Sequence, residues 1–496
     1  MARHIQVDST RTLKDAEEYA FLAGSIDALR REAEPVAEAM AGRTLWMINS
    51  TAQGGGVSEM LPGIICHLRD LGIDARWVVL ESTDAGFFRL TKNLHNLLHG
   101  EGDPTLGNGD RELYEAVNRE NAEALLEHVK DGDVVVVHDP QPMAMAGVLS
   151  AHRRDLHTVW RCHIGLDGET QETRAAWSFL EPYHNAYQHA IFSAPEYVAP
   201  YFEGRSSIIY PSLDPLATKN RPMPVQEVVA VLERSGLLCE PGPMVLPRFE
   251  HVATRLQPDG TFRPAVEPDD LGLLTRPVVT QVSRWDRLKG FLPLMHGFAE
   301  FKRGLRDDAP SDEMEARRLA LTRLVLAGPD PDSIADDPEG VEVLEELKAA
   351  YVALPEDVRV DVALLALPMA SLEENALIVN ALQRVSTVVV QNSLREGFGL
   401  TITEAMWKGV PVLSNSRACG PRQQVRDRLD GRLVPDPEDT AELARALRAL
   451  LRHPERTERM GRAAQRQVHD HFLVYAQLAH WVRLVGQMTT ETKSAA

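Results

Sequence analysis

Two glutamates eight positions apart, Glu396 and Glu404, lie in the run Arg395-Glu396-Gly397-Phe398-Gly399-Leu400-Thr401-Ile402-Thr403-Glu404-Ala405-Met406. The run follows an apolar strand over 387–391 and opens a helix near Thr401. Glu396 then belongs to the loop and Glu404 to the first helical turn, so both can face one cleft. Gly397 and Gly399 let backbone amides approach a ligand closely. A carboxylate at a helix start also does plain dipole work, which is the structural alternative for Glu404. A second run, Arg284-Trp285-Asp286-Arg287-Leu288-Lys289-Gly290, follows a strand ending at Val282. Arg supplies a fork of donors and Lys a point charge, a pair suited to a diphosphate; a solvated charge cluster fits this segment equally well. The third run, Ser50 to Glu59, carries Gly54, Gly55 and Gly56 between a strand and a helix. Helix N-termini bind anions through unpaired N–H groups. Its spacing matches neither the Walker loop nor the dinucleotide fingerprint, and a tight structural turn is the plain alternative.

These runs need elements to hold them. Leu45–Asn49, a helix over 57–71 and a strand over 75–80 make a strand–helix–strand unit, the building block of parallel sheets. Further strands are expected at 133–137, 158–161, 189–193 and 207–209. A second series follows at 277–282, 323–327, 358–365, 387–391 and 410–414. Between them Glu373 to Arg384 has Ala376, Val379 and Leu382 on one helical face. The pattern is α/β with two doubly wound halves. Residues 1–215 form the first half with a polar helical lead-in, 216–275 a linker and insertion, 276–470 the second half, and 471–496 a helix packing back on the first. Two such domains facing each other leave a cleft at the carboxyl ends of both sheets, where α/β folds place ligands.

The chain has 496 residues, 44% hydrophobic and 25% charged, which describes a globular protein of two or three domains. Lys+Arg count 53 against 72 for Asp+Glu, a net charge of −19, which argues against nucleic acid as a partner. Cys66, Cys162, Cys239 and Cys419 are scattered without metal-ligand spacing and read as four buried free thiols of a reducing cytoplasm. The polar start lacks a signal-peptide core, and no apolar run approaches ~18 residues, so no membrane span is expected. Asp330, Asp332, Asp336 and Asp337 lie in an acidic stretch that reads as a solvated loop, so no metal site is expected.

In the frame E-G-F-G-L-T-x-x-E-A-M the paired glutamates resemble the retaining nucleotide-sugar glycosyltransferases with two facing Rossmann-like domains, the GT-B fold. The upstream V-S-R-W-D-x-x-K-G resembles their diphosphate-binding segment, and the glycine-rich loop its first-domain counterpart. N-S-T-A-Q-G-G-G-V-S-E-M, F-F-x-x-T-K-N-L-H-N, H-D-P-Q-P, W-R-C-H-I and R-E-G-F-G-L-T-I-T-E-A-M-W-K-G are similar to the trehalose glycosyltransferring synthases. The likeness covers roughly 44–215 and 277–485. One departure is Cys419-Gly420-Pro421-Arg422, where the wider family often has Gly-Gly.

The resemblance implies a retaining transfer of glucose from a nucleoside diphosphate glucose to glucose, giving α,α-trehalose. It implies that Arg284 and Lys289 neutralise the diphosphate and that Glu404 takes the ribose hydroxyls. Glu396, the backbone of Gly397, Phe398, Gly399, Leu400 and Thr401, and the loop glycines Gly54, Gly55 and Gly56 would bind the donor. His163 would sit near the reacting carbon; a core or capping role is its alternative. His138 and Asp139 would meet the acceptor, with a helix N-cap as the rival role for Asp139. Lys92, Asn93 and His95 would lie on the acceptor side or simply at the surface. No cofactor is required, although Mg²⁺ can accompany the nucleotide without protein ligands. A front-face route, in which the departing phosphate takes the acceptor proton, is favoured over a carboxylate nucleophile. A homodimer is a reasonable expectation. The alternatives are a retaining trehalose phosphorylase, the same donor chemistry on another sugar or a cyclitol, and a non-catalytic sugar-nucleotide sensor.

Overall fold

The computed structural model describes residues 2–7, 12–52, 56–239, 247–306, 310, 312–330 and 338–494. The chain divides into two compact units, residues 1–212 with 472–496, and residues 213–471.

The first unit runs β1 (Arg3–Ile5), α1 (Leu13–Glu17), α2 (Ala20–Ala39), β2 (Leu45–Asn49), α3 (Gly56–Asp70), β3 (Ala75–Val79), α4 (Ala85–Leu98), α5 (Asn108–Leu125), β4 (Val134–His138), α6 (Met145–His152), β5 (His157–Cys162), α7 (Gln171–Leu180), β6 (His189–Phe192) and β7 (Ser206–Ile208). Among the described residues these strands form one sheet in the order β1-β3-β2-β4-β5-β6-β7. All neighbours are parallel except β1, which runs antiparallel to β3 in register Arg3 to Val79. The lead-in, expected as polar and helical, also supplies an edge strand. β4 is Val-Val-Val-Val-His and β5 His-Thr-Val-Trp-Arg-Cys, both buried throughout. Helices cover both faces of a parallel sheet, so its strands read as unbroken runs of buried residues.

The second unit runs α8 (Val225–Arg234), β8 (Thr254–Leu256), β9 (Phe262–Pro264), β10 (Val278–Val282), α9 (Phe291–Gly304), α10 (Glu313–Leu321), β11 (Arg323–Pro329), α11 (Pro338–Ala353), α12 (Glu356–Arg359), β12 (Val362–Leu367), α13 (Leu372–Val385), β13 (Val388–Val390), α14 (Leu400–Trp407), β14 (Val412–Asn415), α15 (Cys419–Gln424), β15 (Gly431–Val434), α16 (Thr440–Arg452) and α17 (Pro454–His471). Its sheet has the order β15-β14-β13-β10-β11-β12-β8-β9. β10 to β15 are parallel, and β8 and β9 add an antiparallel edge. Residues 225–234 and 254–264, expected within a linker and insertion, instead build α8 and a hairpin, and the hairpin extends this sheet. The strand expected over 358–365 starts only at Val362, because Glu356–Arg359 winds into α12.

Alternation along these strands fills two separate cores. Val279, Leu324, Leu326, Val362 and Leu364 face one cluster, while Val278, Val325, Ala327, Ala363 and Leu365 face the other. The last helix, α18 (Val474–Ser494), belongs to the first unit and packs on α2. There Gln477 donates to the Tyr210 carbonyl at 2.9 Å and accepts from Ser212 Oγ at 2.8 Å.

Candidate functional site

In the second unit the strand order turns back at β10. β11 lies on one side and β13 on the other, although β11 and β12 come between β10 and β13 in sequence. Such a switch point leaves a crevice outside the strand ends. The loop after β10 carries Lys289, and the loop after β13 carries Glu396. The two meet there, with Lys289 Nζ 2.7 Å from Glu396 Oε2 and both side chains under one-fifth exposed.

The backbone brings them together through a close approach at Gly290. Its φ is +63°, and a Cβ there would stand 2.1 Å from the Asn392 carbonyl oxygen, so only glycine fits. Gln281, near the end of β10, clamps both loops. Its Nε2 donates to the Lys289 carbonyl at 2.7 Å, and its Oε1 accepts from the Asn392 amide at 3.1 Å. Leu394 N donates to the Leu288 carbonyl at 2.7 Å. On the carboxylate, Ser393 Oγ donates to Glu396 Oε2 at 2.9 Å and Gln391 Nε2 lies 3.4 Å away. Arg284 stands in the same β10 loop with its side chain 68% exposed, 3.6 Å from Asp286 Oδ2. Asp286 in turn caps the short turn Arg287–Lys289 by accepting from the Leu288 amide at 2.7 Å.

Phe398, Gly399, Leu400 and Thr401 make the entry to α14, and Gly399 is its N-cap at φ +84°. Glu404 is the fifth residue of this helix, one position further in than a start at Thr401 would place it and so just past the first turn, because the helix begins at Leu400. It is buried, with Lys219 Nζ 3.2 Å from one carboxylate oxygen and Gln383 Nε2 3.4 Å from the other. The departing segment 419–422 starts α15 and backs the donor loop. Gly420 N donates to the Glu396 carbonyl at 3.2 Å, and a Cβ on Gly420 would stand 2.3 Å from the Phe398 carbonyl oxygen.

In the first unit the order turns back at β2, between β3 and β4. Gly54 and Gly55 lie outside the described residues, and Gly56 opens α3. His138 ends β4 and His163 follows β5. Their ring nitrogens, Nδ1 of His138 and Nε2 of His163, are 3.0 Å apart in nearly coplanar rings. His138 Nε2 lies 3.4 Å from Met47 Sδ. A thioether only accepts, so His138 Nε2 carries the proton and Nδ1 the lone pair. His163 then donates from Nε2 and keeps an acceptor at Nδ1. Burial beside Arg161 pulls His138 down to about 3 and His163 well below its ordinary value, so both are neutral near pH 7. With both ring nitrogens used inside the protein, His138 has none left for an acceptor hydroxyl; it orients His163 instead.

Asp139 does not cap a helix, since α6 begins only at Met145. At φ +62° it turns its carboxylate back, and Oδ1 accepts from the His163 amide at 2.8 Å. Burial pushes this carboxyl up to about 6, against the opposing pull of that hydrogen bond and of Arg161. Lys92 is exposed on α4. Asn93 spends its amide on a local loop, donating to the Asp103 carbonyl at 2.8 Å and accepting from the Asp103 amide at 3.0 Å. His95 is held down to about 4, chiefly by burial. A cavity of about 670 Å³ opens at the ends of β2 and β3, lined by Thr51, Glu81, Asp84, Phe88 and Glu120 among others. Among the described residues no group of three or more His, Cys, Asp or Glu could hold a metal ion, and no helix is long and apolar enough to cross a membrane.

Residues 47–199 match the family model described as trehalose synthase, N-terminal domain, and residues 372–467 match glycosyl transferases group 1. A trehalose synthase of Pyrococcus horikoshii is 32% identical over 473 residues, covering 95% of this chain and 96% of that protein. The chain belongs to the trehalose synthase family. It is a glycosyltransferase of trehalose metabolism. A trehalose phosphorylase of Grifola frondosa is 23% identical over 453 residues, covering 88% of this chain and 56% of that one. Among solved structures, an alpha,alpha-trehalose-phosphate synthase (UDP-forming) from Burkholderia vietnamiensis aligns with a TM-score of 0.61 at 16% identity, over 90% of this chain and 98% of that one. The fold is therefore GT-B.

In this trehalose synthase family member, several residues that build the site escaped the sequence reading. Gln391, Asn392 and Ser393 are a polar triplet placed directly after an apolar strand, and Gln281 interrupts the apolar run of β10; both signals were present in the sequence. Gln383 adjoins the apolar face of α13 yet is fully buried. Lys219 lies far away in sequence and had no local signal.

Proposed function

We propose that this chain is a retaining glucosyltransferase that moves glucose from a nucleoside diphosphate glucose to free glucose, forming α,α-trehalose. The observation that carries the reading is the Lys289–Glu396 pair at the switch point of the second sheet, beside the entry to α14. When the bond from the donor sugar carbon to the diphosphate breaks, the leaving group gains negative charge. Lys289, Arg284 and the α14 N-terminus supply positive charge fixed in advance, which favours the transition state over the ground state. Glu396 takes donor sugar hydroxyls, and Glu404 takes the ribose hydroxyls. The acceptor hydroxyl attacks from the face the diphosphate leaves, and its proton passes to the departing phosphate oxygen. The neutral His163, with its lone pair at Nδ1, accepts a sugar hydroxyl, and Asp139 meets the acceptor. No resident cofactor enters these steps.

Relatives named trehalose phosphorylase support a second reading, in which inorganic phosphate takes the place of the nucleotide. One experiment separates the two. The enzyme is incubated with UDP-, ADP- or GDP-glucose plus glucose, and separately with trehalose plus phosphate. Products are followed by proton NMR. Trehalose with release of one nucleoside diphosphate supports the synthase. Glucose 1-phosphate appearing only in the second mixture supports the phosphorylase, and no product in either overturns both. Thermal shift gives an independent check, since a ligand at a hundredfold excess over its Kd adds ~2.7 kcal/mol to stability.

A further inference from the structure

Lys408 closes α14 and is partly buried, with its ammonium turned into the protein. Its Nζ lies 2.7 Å from Gln383 Oε1, 3.2 Å from the Glu404 carbonyl and 3.5 Å from Asn220 Oδ1. Gln383 is fully buried on α13 and sits between this ammonium and the Glu404 carboxylate. Burial pulls this ammonium down to about 7, with Glu404 opposing; in its charged form it only donates, which fixes which end of the Gln383 amide faces it. Oε1 must point to Lys408, and Nε2 is thereby aimed at Glu404 Oε2. Without the ammonium the amide is free to turn over. Its oxygen would then face a buried carboxylate, an arrangement that repels.

We propose that Lys408 is a positioning residue for donor binding, acting through Gln383 to hold the Glu404 carboxylate. This rests on the reading that Glu404 takes the donor ribose. Lys219, on the other carboxylate oxygen, is 41% exposed and is free to yield to a ligand hydroxyl. The inner side of the carboxylate is thus anchored by Gln383, and the outer side is exchangeable. Two hydroxyls of a vicinal diol need such a carboxylate, ionised and fixed in orientation. The same lysine contributes nothing at the sugar carbon, so its removal should weaken donor binding and spare turnover.

The test titrates UDP, ADP and GDP into wild type, Lys408→Met, Gln383→Leu, the double variant and Glu404→Ala by calorimetry, alongside steady-state kinetics. Lys408→Met should weaken the bound nucleotide about tenfold, the loss that follows breaking a hydrogen bond to a charged group. Donor KM should rise by a similar factor with kcat changed less than about twofold. Gln383→Leu should match it, and the double variant should lose little more, because both act in one relay. Lys408→Arg, which retains a donor, should recover part of the affinity if the network is what matters. A loss in Glu404→Ala with unchanged affinity in Lys408→Met and Gln383→Leu overturns the relay and leaves the ribose reading standing. Unchanged affinity in Glu404→Ala, or a wild type that binds none of the three nucleotides, overturns the ribose reading and the relay with it. If Lys408→Met loses kcat and thermal stability together, Lys408 is structural and the proposal fails.

Discussion

Lys289 and Glu396 neutralise each other until a ligand arrives, so each is a sensitive position for substitution. Lys289→Ala removes a cation from the place where charge develops and leaves the largely buried Glu396 carboxylate without its counter-ion. We expect donor kcat/KM to fall by about two to three orders of magnitude, as when a donor to a developing anion is lost; steady-state kinetics with the active nucleotide sugar checks this. Asp139 offers a test by pH. Its folded value near 6 exceeds its ordinary value of 3.8, so between those limits the native state holds the proton more tightly than the unfolded chain. This group's contribution to stability therefore falls as pH rises from 3.8 to 6. Asp139→Asn keeps an oxygen for the His163 amide and tolerates the left-handed backbone. Its unfolding temperature should exceed that of the wild type at pH 7 by more than at pH 4. His138 has the opposite sign. Its folded value, near 3, lies below the ordinary 6.5, so its contribution is intact above pH 6.5 and is lost as pH falls toward 3. The same pair of scans on His138→Asn should show a flatter acid limb.

Elements hold these residues through backbone contacts that leave no slack. At Gly290 an added Cβ meets a carbonyl oxygen at 2.1 Å and the backbone is left-handed. Gly290→Ala should cost about 1–3 kcal/mol of strain and, by parting the β10 and β13 loops, raise donor KM. Gly204→Ala is the control, since its φ of +78° is also left-handed but nothing stands within 4 Å. It should lower the thermal midpoint modestly and leave donor KM alone. The strands and most helices were legible in sequence because burial on both faces demands unbroken apolar runs, as in Val134–Val137. β8, β9 and β1 were not. Each has three residues at or next to a sheet edge and no unbroken apolar run to mark it. Glu404 falls one residue deeper in its helix than expected for a local reason: Gly399 in the left-handed region ends the loop one position sooner.

At the scale of the molecule the chain leaves the first unit at Ser212 and returns to it at Phe472. Leu478, Trp481, Val482 and Val485 of α18 are buried within that unit. At about 1.5–3 kcal/mol each, their loss rivals the whole ~5–15 kcal/mol that keeps a domain folded. A chain ending at His471 should lose amide-exchange protection in β2, β4 and β5 while β10 to β13 keep theirs. Equal protection in both units would refute the assignment of α18.

Sequence alone determined the two α/β halves, the loops at their strand ends and the residue types that sit there, because strand burial, helix periodicity and glycine-rich turns are local properties. It also carried the family likeness. Only the tertiary structure decided how those residues are used. Lys289 meets Glu396 across more than a hundred positions because β10 and β13 are neighbours in the sheet. The proton on His138 is set by Met47, from a strand ninety residues earlier. Glu404 finds its partners in Lys219 and Gln383, which come from other segments of the chain. Partners of this kind are chosen by sheet order and burial, and no local pattern of residues encodes either.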